Sequence, residues 1–127
     1  MAISEDERKL AHRENWEVFS EQAASLAAKA RRSSAAGRFA QAREAFLDAA
    51  LAEEKALLAH RGYPLSESTK MAFLVAAYSL NGGDFARVVE YTTEVLNPVR
   101  RGSSSQKMLT RAAGMLATAQ EALPKTA

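Results

Sequence analysis

Gly37 and Gly83 stand 46 residues apart, and each is followed two residues later by phenylalanine (Phe39, Phe85) and five residues later by a small or apolar residue (Ala42, Val88). Each glycine separates two stretches of helical periodicity, so the chain reads twice as helix, tight glycine turn, helix. Glycine reaches the left-handed backbone conformation that ends a helix without steric cost. The phenylalanine after each turn is expected to lie between the paired helices. One helical pair cannot bury its own apolar face, so units of this kind stack on one another. The repeat therefore restricts the chain to an all-α array of antiparallel helical hairpins.

The periodicity predicts five helices. Ser4 and Glu7 form a capping box, and no glycine or proline follows until Gly37, which gives a long first helix over about 5–36 with Glu5, Asp6 and Glu7 at its positive end. Trp16, Phe19, Ala23, Leu26 and Ala30 form its apolar stripe, and a break near Ser20 is left open. A second helix spans about 38–60 through Phe39, Ala42, Phe46, Ala49, Ala50, Leu57 and Leu58. Arg61-Gly62-Tyr63-Pro64-Leu65 is a turn, after which Ser66 or Ser68 caps a third helix that ends at Asn81-Gly82-Gly83. Asp84 caps a fourth helix, which stops before Asn97-Pro98. Beyond a basic, serine-rich link, a fifth helix over about 104–122 carries Met108, Leu109, Ala112, Met115, Leu116 and Ala119 on one side.

Composition agrees with helix, because 27 of the 127 residues are alanine, which loses least on entering one. A chain of this length builds one ordinary core, so residues 1–127 form a single domain. With no cysteine there is neither a disulfide nor a thiolate metal site. No apolar run approaches the roughly 20 residues that span a bilayer, and the start, MAISEDERKL, is acidic where a secretory signal is basic and then apolar. A cytoplasmic protein without a membrane partner is expected. The net charge of +2 is too small to announce nucleic acid, and aromatic residues for base stacking are not interleaved with the cations.

The residue patterns of catalysis are missing as well. His12 and His60 have no histidine one helical turn away, and the sequence contains neither GxSxG, GxxxxGK[ST] nor GxGxxG. Glu53-Glu54 is expected on an exposed helix face. No catalytic residue, metal or cofactor is assigned, and the protein is expected not to be an enzyme.

At Gly37, Phe39, Ala42, Phe46 and Ala49, with Leu26 before them, the chain resembles the tetratricopeptide repeat (TPR) family, whose unit of about 34 residues places glycine between two helices and then alternates aromatic and small residues. Gly83, Phe85, Val88 and Val95 continue the pattern, with Thr92 where an aromatic is usual. The lengthened unit, the run from Asp84 to Glu90, and Lys107 with Arg111 are similar to the TPR domains of immunophilin-type cochaperones. In those proteins a cationic clamp holds a chaperone's C-terminal carboxylate. Lys107 and Arg111 match two of its cations in spacing, whereas Ala27, Arg31 and Leu74 replace its Lys, Asn and Asn.

The resemblance implies that the first helix of each hairpin lines a concave groove, where Arg31, Lys70, Lys107 and Arg111 converge beside Phe73 and Ala77. Two segments, 23–47 and 98–127, each carry a net charge of +4, while the rest is acidic. The expected function is a non-catalytic adaptor that binds a protein or acidic peptide in this groove. The alternative is a helical accessory or assembly subunit that forms a homodimer through its terminal helices, because the apolar side of an unpaired fifth helix needs a cover.

Overall fold

The computed structural model describes residues 15–60, 65–98 and 104–124, and among them it contains five α-helices and no strand. They are α1 (Asn15–Ala35), α2 (Phe39–Ala59), α3 (Leu65–Gly82), α4 (Phe85–Val95) and α5 (Gln106–Ala122). Each helix packs on the next, and α3 also meets α5. The expected capping box at Ser4, the first part of the long first helix and most of the turn after His60 lie outside the described residues. No break occurs at Ser20, which lies within α1.

The two glycine turns are alike in detail. Gly37 and Gly83 have φ of 79° and 82°. At the first, the Gly37 amide donates to the Ser34 carbonyl at 3.0 Å and the Arg38 amide to Ser33 at 2.8 Å. At the second, Gly83 donates to Leu80 at 3.2 Å and Asp84 to Ser79 at 2.9 Å. Both are Schellman motifs, which satisfy the last carbonyls of a helix while reversing the chain. They differ in the cap that follows: the Asp84 carboxylate accepts from the Arg87 amide at 3.2 Å, whereas Arg38, with nearly the same backbone angles, offers no side-chain acceptor.

Two core clusters run through the stack. In the first, Ala23, Ala27 and Ala30 of α1 meet Ala45, Phe46, Ala49, Ala50 and Ala52 of α2, with Tyr78 of α3 closing the end. In the second, Ala72, Phe73, Val75 and Ala76 of α3 meet Tyr91 and Val95 of α4 and Ala112 of α5, and Met108, Leu109 and Met115 pack against them. The apolar side of α5 is thus seated on α3 and α4. Thr92, where the repeat usually has an aromatic, is fully buried, and its hydroxyl donates to the Val88 carbonyl at 2.7 Å.

Three local expectations are corrected. The helix α3 begins at Leu65, so Ser66 and Ser68 lie in its first turn and neither caps it; the Ser68 hydroxyl instead donates back to the Leu65 carbonyl at 3.0 Å. Phe39 does not pack between the paired helices. It is 66% exposed as the first residue of α2, directly after the turn and outside both core clusters, while Phe46 two turns later is buried. Glu53 is 1% exposed instead of solvated, because it shares the buried side of α2 with Phe46, Ala49 and Ala56.

Gly82 does more than stop α3. A Cβ built there would lie 2.6 Å from Leu47 Cδ2 and 3.2 Å from the Leu47 amide nitrogen, so α2 and α3 approach closely at this point. Gly82→Ala should destabilise the protein by about 1–3 kcal/mol through overpacking. In the other direction, Arg38→Asp gives the first turn the cap that Asp84 gives the second and should stabilise by about 0.5–1 kcal/mol. Thermal melts of both variants against wild type check the two signs.

Candidate functional site

The helices α1, α3 and α5 leave two shallow hollows between them. Trp16, Ser20 and Ala24 of α1 and Lys70 of α3 line the first, of about 380 Å³, with Glu17, Glu21 and Glu67 at its rim. The second, also about 380 Å³, lies between Ala77, Leu80 and Asn81 of α3 and Arg111, Gly114 and Met115 of α5. Trp16 is oriented by His60 at the far end of α2, the two rings meeting edge to face with centroids 5.1 Å apart.

The residues singled out in the sequence divide between these places. The Arg111 guanidinium stands 5.3 Å from the centroid of the Phe73 ring, a cation–π geometry. Phe73 is buried, so it supports the cation from below and is not itself a groove wall. Ala77 borders the same hollow as Arg111, and Lys107 is exposed one turn earlier on α5. Lys70 lies in the other hollow, among carboxylates. Arg31 is exposed on α1 and is not among the residues lining either hollow. Its charge acts instead on Tyr78.

Behind the first hollow lies a polar centre that was not anticipated. The Ser20 hydroxyl sits 3.1 Å from both oxygens of the Glu53 carboxylate and donates to it. Burial pushes the Glu53 carboxyl up to about 7, while the Ser20 hydrogen bond and the positive charge of Lys70 pull it partly back. Burial also raises the pKa of the Tyr78 phenol, and the Glu53 charge raises it further against the opposing effect of Arg31. The sequence did hold a signal for Glu53: it lies four residues after Ala49 and seven after Phe46, on the stripe that α2 buries.

A second polar tie joins the hairpins on another side. The Tyr91 hydroxyl donates to Glu54 at 2.6 Å, and Arg87 lies 3.6 Å from both Glu54 and Asp84. Burial and then the Glu54 hydrogen bond raise the Tyr91 pKa, so the phenol stays protonated as the donor. Among the described residues no three His, Cys, Asp or Glu side chains converge to hold a metal ion, and no helix is long and apolar enough to cross a membrane.

The Glu53 environment has a definite consequence for stability. Its pKa is higher in the folded state than the ordinary 4.5, so the folded state binds the proton more tightly. The resulting stabilisation is fully present below the unfolded value and falls away as pH rises from there to about 7. Relative to Glu53→Gln, which does not titrate, the wild type should lose about 3 kcal/mol of stability over that window. Denaturant melts of both proteins at several pH values read the difference, and parallel pH profiles would contradict it.

No family model, curated protein or solved structure matches the chain.

Proposed function

We propose that this protein is a non-catalytic, TPR-like adaptor that binds a protein or an acidic peptide across the face formed by α1, α3 and α5. The observation that carries the reading is Arg111, held over the buried Phe73 ring at the mouth of the α3–α5 hollow. An aromatic beneath a guanidinium limits the directions in which it points and leaves its outer N–H groups available to a carboxylate. Lys107 adds a second charge one turn away, and among the described residues neither cation makes an ion pair with a carboxylate. The repeated Schellman turns support the relation between the two hairpins, since the same backbone recurs 46 residues apart.

The groove is polarised in this reading. Glu17, Glu21 and Glu67 surround Lys70 at the Trp16 end, so the acidic part of a ligand lies along α5 and not across the whole face. Dimerisation through the fifth helix has less to support it, because Met108, Leu109 and Met115 already pack against the core.

A short synthetic peptide of glutamates with a free C-terminal carboxylate is a direct probe. Wild type should bind it, and Arg111→Ala combined with Lys107→Ala should weaken binding about tenfold or more, equivalent to at least about 1.4 kcal/mol. The melting temperature should change little, since exposed charges contribute little to folding. Binding should also weaken as salt rises, because the screening length falls to about 8 Å at physiological ionic strength. Equal affinity of wild type and the double variant at low salt would reject the cationic groove.

A further inference from the structure

The outward strip of α2 carries Glu44, Asp48, Leu51, Lys55 and Leu58, spaced by three and four residues and therefore on one side of the helix. All five are exposed, and Leu51 and Leu58, one heptad apart, are 42% and 73% accessible. The buried residues of α2, among them Ala42, Ala45, Ala49 and Ala56, lie on other sides. None of the strip residues lines the α1–α3 or the α3–α5 hollow.

The order of charges along the strip is self-complementary in one orientation only. Acids (Glu44, Asp48) precede Leu51 and a base (Lys55) follows it. Laid antiparallel on itself about Leu51, the strip brings Lys55 of each copy opposite Asp48 of the other, sets leucine against leucine at the centre, and rests Leu58 on the methylenes of the opposing Glu44. A parallel copy would oppose like charges. In a two-fold arrangement each off-axis pair, Lys55–Asp48 and Leu58–Glu44, occurs twice, and the antiparallel helix dipoles also oppose favourably.

We infer that this strip docks a second copy of the chain, α2 against α2 and antiparallel, in a two-fold dimer centred on Leu51 with reciprocal Lys55–Asp48 ion pairs. The contact uses the outer side of α2, so both α1–α3–α5 faces stay open and the inference stands independently of the peptide groove. A single helix-on-helix contact falls at the small end of specific interfaces, which makes the dimer weak and concentration-dependent.

Sedimentation of the full chain from about 1 to about 500 µM, the range in which a weak interface of this kind populates, reads the association directly. Wild type should shift from monomer to dimer across that range. Asp48→Lys alone and Lys55→Asp alone each place like charges across both contacts and should weaken dimerisation about tenfold or more. Mixing the two single variants should restore association as a heterodimer, and the double variant should restore the homodimer, because opposite charges face each other again in both. Glu44 and Asp48 also border a hollow between α1 and α2 together with Lys29, so Asp48→Lys sets a second cation there and helical melts of every variant accompany the measurement. A wild type that remains monomeric throughout overturns the inference. So does a dimer that persists unchanged in the single variants, or one that mixing fails to restore.

Discussion

The close approach of α1 and α2 through alanine is the constraint on which the rest of this structure depends. Ala23, Ala27 and Ala30 have no exposed surface, and they meet a second row of alanines at Ala45, Ala49 and Ala52. Side chains this short fill little space, so the backbones come near each other and the interface gains its stability from many small dispersion contacts over a long seam. Large residues are few in this seam. Phe46 and Tyr78 are the two aromatics of the first cluster, and Phe73, Tyr91 and Val95 give the second a larger share of bulky side chains.

The buried part of this seam is almost wholly apolar, and the polar residues that border it are tied to specific partners. Glu53 meets Ser20 across the seam, and Tyr91 reaches Glu54 on the neighbouring hairpin. A buried carboxylate without a donor would cost several kcal/mol, so the Ser20 contact holds α1 in register against α2 as much as it satisfies a charge. Lys70 and Arg31, which approach this centre from α3 and α1, belong to its electrostatics whatever they do at the surface.

Most of the architecture was legible because helices announce themselves locally. The two glycine turns, the Asp84 cap and the apolar sides of all five helices rest on residues within one or two turns of each other. The misreadings share the opposite property. Whether Phe39 is covered depends on which helix lies opposite, and a repeat pattern names the position without naming the neighbour. Glu53 looked solvated because its residue type outweighed its place on the stripe after Phe46 and Ala49. At the start of α3, a serine cap was a reasonable local choice, yet the helix extends to Leu65. The hollows were harder still, since Trp16 with Lys70 and Arg111 with Ala77 are brought together only by the stacking of hairpins. The Arg111–Phe73 pair spans 38 residues, and no short-range pattern encodes it.

Alanine at the seam also inverts the usual relation between a core and its tolerance of change. In a core of leucines and phenylalanines, truncation is the damaging event, since it leaves a void. Here most seam positions have almost nothing to remove, and the damaging event is growth: one extra methylene at Ala27 or Ala49, neither of which has exposed surface, forces the packed neighbours and their backbone to shift. Where the neighbours are themselves alanine, compensation cannot come from shrinking them, because only glycine is smaller. Sequences that keep this fold would therefore drift freely on the outer faces and at the joints while the two alanine rows stay fixed, as a zip fastener accepts new cloth but not new teeth.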